Sequence, residues 1–198
     1  MFKTKREIAC TILFIFGLGI AVTHAPVLAA GMLRYTSAVT PLLDAAGGKP
    51  IGSLGPGAAL EVRGQSGGAT QVAVHGWSAQ GANAVVFVAP DRHIVTLSGL
   101  TGHTAEGNTL TSGGTVYHAV TIEGFVTNKA LVDDVQTVWK SARDLYAPSC
   151  ASCHPLPKPN SYSANQWPGI MKTQAANAGL DPDQTTLLTT YLQVQSGR

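Results

Sequence analysis

The sequence predicts an α+β protein in which an antiparallel β half precedes a smaller helical half. Three observations predict it. Between Tyr35 and Val132, short apolar runs alternate with Gly-rich breaks, the pattern of closely spaced strands and turns. After Val132, apolar residues recur instead at three- and four-residue spacing, which marks one face of a helix. The chain is also lightly charged: 12% Asp, Glu, Lys and Arg, net charge +2, with 22 glycines in 198 residues. That composition is too apolar for disorder, and without a basic stripe it excludes a nucleic-acid binder.

The first 30 residues stand apart from the fold. Lys3, Lys5 and Arg6 make a positive head, Ile8 to Val22 is an almost unbroken apolar run, and small residues follow at Ala29-Ala30-Gly31. This is the order of a secretory signal peptide, and the run is short for a membrane span of ~20 residues. An uncleaved anchor is the competing reading. The expected organisation is therefore 1–30 signal peptide, 31–132 β domain and 133–198 helical domain, in a protein exported to the periplasm. Cys10 sits inside the apolar run and is given no role. Export leaves only Cys150 and Cys153, and so close a pair cannot staple a weak core.

In the β half the apolar runs are Leu60 to Val62, Thr70 to Val74, Ala84 to Val88, Ile94 to Leu97, Thr115 to Val120 and Ile122 to Val126. Their closeness argues for a small barrel or sandwich, which limits exposed edges. The stretches Pro41 to Asp44, Pro50 to Leu54, Gly57 to Val62 and Val72 to Trp77 together resemble a bacterial SH3-like barrel. In that family a Gly-aromatic step ends a strand, and the step occurs here at Gly76-Trp77 and Gly124-Phe125. The resemblance implies a small antiparallel barrel over 31–132.

In the helical half, Val135, Val138, Trp139, Ala142, Leu145 and Tyr146 lie on one helix face. Asp133 or Asp134 caps its start, and Pro148 is expected to stop it. A second helix is predicted from Asn165 to Ala178. Asp181-Pro182-Asp183-Gln184 then reads as an N-cap, a proline at the first helical position and a residue that reaches back. A module of this size is too small for a hydrophobic core of its own, a deficit that a large buried cofactor would remedy.

Cys150-Ala151-Ser152-Cys153-His154 is the attachment sequence of c-type haem. Two thiols within one tight turn can add to the two vinyl groups of the porphyrin, and the adjacent histidine then reaches the iron. A structural zinc site would need two more ligands, and none follow His154. A thioredoxin-like dithiol belongs at a helix start after a strand, and here a helix precedes it. An inert local disulfide leaves His154 unused. The predicted cofactor is one covalent haem c on Cys150 and Cys153, with His154 as proximal ligand. A carbonyl of the Pro155 to Pro159 run is expected to accept the His154 Nδ1 proton.

The helix ending upstream, and a terminal helix bearing Leu188 and Tyr191, resemble the pair that cross over the haem in class I cytochromes c. Trp139 to Tyr146, the Cys150 to His154 motif and Tyr162 to Gly169 together resemble the C-terminal haem domain of periplasmic pentahaem c-type cytochromes. The resemblance covers nearly all of the chain after residue 30. It implies an SH3-like barrel followed by an all-α, class I-like monohaem domain. It also implies electron transfer to trimethylamine N-oxide or dimethyl sulfoxide reductases. The family's tetrahaem membrane domain has no counterpart here, so the chain is expected to be the C-terminal half as a separate exported protein.

For the distal position, Met171 follows Trp167 in the second predicted helix. An ordinary core methionine is the competing reading, and His75 with His118, or an open position, are the alternatives. His93 and His103 are expected to be solvated, and Trp139 and Trp167 to pack around the haem. The expected function is single-electron transfer, not catalysis. A membrane-bound multihaem cytochrome would be the donor and a periplasmic oxidoreductase, such as a molybdenum enzyme, the acceptor. A haem-based sensor or gas-binding module, and an adaptor whose β domain docks a partner, are the alternatives.

Overall fold

The computed structural model of the chain describes residues 31–101, 107–152 and 155–197. The expected signal segment, His103, Cys153 and His154 lie outside the described residues. Ten strands form one sheet: β1 (Leu33–Thr36), β2 (Thr40–Leu43), β3 (Pro50–Leu54), β4 (Ala59–Ser66), β5 (Ala69–Ala79), β6 (Val85–Phe87), β7 (Val95–Ser98), β8 (Thr109–Ser112), β9 (Thr115–Thr127) and β10 (Leu131–Val132). Three α-helices follow, α1 (Val135–Cys150), α2 (Trp167–Gln174) and α3 (Pro182–Gln195).

Two long strands organise the sheet. β5 pairs antiparallel with β9 along its whole length, from Ala69 opposite Thr127 to Ala79 opposite Tyr117. Each changes its second partner partway along: β5 pairs with β4 and then β6, β9 with β8 and then β2. The β6–β7, β7–β3 and β3–β2 pairings complete the ring, so β5, β6, β7, β3, β2 and β9 close a six-stranded barrel. Closure removes edges that would otherwise invite aggregation. Leu42, Leu54, Leu60, Val72, Val86 and Leu97 are wholly buried in its interior.

This corrects the expected fold class. The protein is mostly β, built on a six-strand barrel, and it does not end in an all-α cytochrome c domain. Among the described residues between Ala151 and Gln166 there is one 3-10 turn, over Pro159–Ser161, because three prolines in five residues deprive the backbone of donors. α2 is eight residues long, shorter than the predicted Asn165 to Ala178. The helical segment is also tied into the sheet: β10, just before α1, pairs with β1. Among the described residues, no helix is long and apolar enough to cross a membrane.

Several contacts dock the helices on the barrel, among them one at Trp139 and one at Arg92. Gly57, at φ +72°, lies under the indole of Trp139, where any side chain would enter the ring. At the other end, Arg92 donates to the carbonyls of Gln193 and Val194 at 3.0 and 3.5 Å. Trp139 therefore packs at the barrel junction, with its ring tilted 43° to that of Tyr191.

Candidate functional site

α1 begins where Asp134 accepts the Gln136 N–H at 2.9 Å. Its stripe of Val138, Trp139, Ala142 and Tyr146 is buried. Pro148 does not end it. The helix continues to Cys150 and closes with the Ala151 N–H donating to Ala147 at 3.1 Å. A proline this near the C-terminus forfeits one backbone bond while the neighbouring turn holds. The consequence is positional: Cys150 is the last residue of the helix, with a half-buried free thiol whose pKa burial pushes up.

Beyond it the proline run is fastened from both sides. Tyr146 donates its hydroxyl to the Pro157 carbonyl at 2.6 Å, and the Trp167 indole N–H donates to Pro159 at 2.9 Å. Two of the carbonyls considered for His154 thus already accept from other groups. Trp167 and Met171 of α2 are buried, at 2% and 4% exposure, and Tyr162 stands edge-on to Trp167 with centroids 5.0 Å apart.

These elements enclose a cavity of 140 Å³ walled by Tyr146, Cys150, Pro157, Tyr162, Trp167 and Met171. It joins a thiol and a thioether, the soft ligands suited to haem attachment and haem iron, with aromatic faces. On the other side of the Tyr146–Pro157 pair lies a second hollow of 320 Å³, bordered by Arg143, Lys158 and Tyr191. The donor set and the apolar walls fit a haem. Among the described residues, no group of three or more His, Cys, Asp or Glu could hold a bare metal ion.

The described histidines, His75, His93 and His118, do not line this cavity. His75 is on the outer barrel surface, its Nε2 2.8 Å from Glu61 and its Nδ1 3.0 Å from Thr121. His118 is on β9, and neither lines the Cys150 cavity. His93 is not a solvated bystander. Its ring meets Tyr117 Oη at 2.8 Å and the Pro90 carbonyl at 3.1 Å, its N–H donates to Asn165 at 2.8 Å, and its carbonyl accepts from Gln193 at 3.2 Å. Gln193 also donates to Ala164 at 2.9 Å. This clamp between the β6–β7 loop and the helices was missed from sequence, where the only hint is a glutamine on the apolar face of α3.

Cys150, which opens the attachment sequence, sits at a helix end beside an aromatic cavity walled by a methionine, and with that sequence it points to a class: the c-type cytochromes. The chain belongs to the family described as the TorC third cytochrome c domain, which its residues 29–131 match. That match falls on the β segment, ahead of the attachment motif. The chain is also similar to the cytochrome c-type protein TorC of Escherichia coli K12, 26% identical over 174 residues, 84% of this chain and 44% of that protein. It is similar to TorY of E. coli O157:H7 at 28% over 148 residues, 72% of this chain and 40% of the relative. TorY of Haemophilus influenzae is 29% identical over 131 residues, 62% of the chain and 35% of the relative. The chain thus spans less than half the length of these relatives. No solved structure matches it. Membership of a cytochrome c family implies covalently bound haem c and a role in electron transfer.

Proposed function

We propose that this chain carries one haem c, bonded through thioethers at Cys150 and Cys153, with His154 proximal and Met171 distal, and that it passes single electrons between respiratory partners in the periplasm. The observation that carries the reading is the meeting of the Cys150 thiol and the Met171 thioether in one aromatic cavity. When bound, the haem supplies a one-electron redox centre. The chain's own residues hold and insulate it. Tyr146 and Trp167 fix the proline run through its carbonyls, and Tyr162 and Trp167 keep water from the cavity wall. A thioether at the distal position raises the potential relative to a second imidazole.

The resemblance to TorC and TorY supports a donor of the membrane-bound multihaem kind and a periplasmic oxidoreductase, such as a molybdenum enzyme, as acceptor. In this reading 1–30 is the export signal, 31–132 the β unit and 133–198 the haem-bearing unit. Small transient interfaces suit such an exchange.

The test is production in a host that matures c-type cytochromes. Haem stain should persist on the chain after denaturing electrophoresis, with one haem per chain by the pyridine haemochrome. Cys150→Ser and Cys153→Ser should each leave a single thioether and shift that spectrum. Colourless protein would overturn the proposal.

A further inference from the structure

Met171 has a second neighbour. Behind it, between the barrel and the helices, lies a crevice of 370 Å³, a volume within the range of small-molecule sites. Its apolar wall is made by Leu54, Val95 and Met171, and its polar side includes Lys172 and Thr190. No Asp or Glu lines it. Lys172 takes part in no ion pair among the described residues.

Thr190 is the informative group. Thr185, Thr186 and Thr189 of α3 each donate their hydroxyl to the carbonyl four residues earlier, at 2.8, 2.9 and 2.6 Å. Such back-bonding is the usual outlet for a helical threonine. Thr190 makes no such bond, although it is only 8% exposed. The Thr190 side chain borders the crevice, so a hydroxyl not used within the helix is open to a ligand there. One turn along, Gln193 is held by its two bonds to the His93 and Ala164 carbonyls. The wall is therefore preorganised, which lessens the ordering cost of binding.

We infer that this crevice binds a small organic anion with a short apolar tail, a short-chain monocarboxylate. The head takes charge-assisted hydrogen bonds from the Lys172 ammonium and the Thr190 hydroxyl. The tail lies on Leu54, Val95 and Met171. A cation would meet Lys172 with no carboxylate to offset it, and a neutral alcohol would forgo the charge.

The experiment is calorimetric titration of the mature protein with butanoate, hexanoate, hexanol and hexylammonium. Saturable binding to one site is expected for the carboxylates, tighter for hexanoate, with hexanol about tenfold weaker or more. Lys172→Met and Thr190→Val should each weaken hexanoate by about tenfold while leaving the melting temperature and visible spectrum unchanged. Lys172 is exposed, so that variant reports binding even if Thr190→Val folds poorly. Absence of saturable heat, as when haem carboxylates already fill the crevice, would overturn the inference. So would equal affinity for hexanol, or hexanoate binding indifferent to Lys172→Met.

Discussion

Arg92, in the loop between β6 and β7, donates to the carbonyl oxygen of Gln193 at 3.0 Å across 101 residues of sequence. The last carbonyls of a helix have no partner within it, and a cation there also meets the negative end of the helix dipole. The barrel thus supplies the C-terminal cap of α3, the helix that backs the candidate haem site.

Replacing Arg92 by Met should therefore cost about 2 kcal/mol, the worth of a hydrogen bond to a charged group. The melting temperature should fall by about 5 °C for a chain of this size. A variant that melts with wild type would show that the cap is ornamental.

At the opposite junction, Gly57→Ala should be more damaging than an ordinary glycine replacement. The new Cβ must adopt positive φ and also enter the Trp139 ring, for a combined loss of about 3 kcal/mol. Gly67→Ala supplies the comparison, since its φ is +58° with nothing within 4 Å of the added carbon. It should lose about 1 kcal/mol. Equal losses in denaturant titrations would remove the Trp139 contact from the account.

How far the sequence foretells this arrangement depends on the range of the interactions. Short-range signals were legible: Asp181 and Gln184 form the reciprocal cap at the start of α3, and Asp134 caps α1. Barrel closure was not, because the β5–β9 register joins residues up to 58 apart, and local runs cannot encode it. For the same reason Thr115 to Val120 and Ile122 to Val126 read as two strands, whereas Thr121 simply continues β9 opposite His75. Within the candidate site, residue type alone made the motif and Met171 candidates, and the structure adds that Cys150 and Met171 line one cavity. The role of His93 was illegible, since its partners Asn165 and Gln193 lie far along the chain and none has a distinctive local pattern.

Met171→Leu keeps the volume of a side chain only 4% exposed and deletes its sulfur, so the fold should tolerate it. In the mature ferric protein the weak near-infrared thioether band should disappear. The reduction potential should fall, and the reduced form should begin to bind carbon monoxide. An unchanged spectrum would assign Met171 to packing alone.

Tyr146 gives a prediction whose sign can be worked through. Burial first, then the nearby Cys150 and Tyr191, push its phenol from 10.0 up to about 12, so the folded chain holds that proton more tightly than the unfolded chain does. Stability from this group is complete below pH 10 and is lost as pH rises from 10 to about 12. The loss amounts to about 2–3 kcal/mol at 1.36 kcal/mol for each unit. A thioether at Cys150 cannot ionise, which removes the second cause and leaves the largest. Tyr146→Phe should be less stable at neutral pH by about 1–3 kcal/mol, because the Pro157 carbonyl loses its donor. It should then lose less stability than wild type between pH 10 and 12. Parallel decline of the two proteins in chemical denaturation across that window would mean that the phenol titrates like an exposed one.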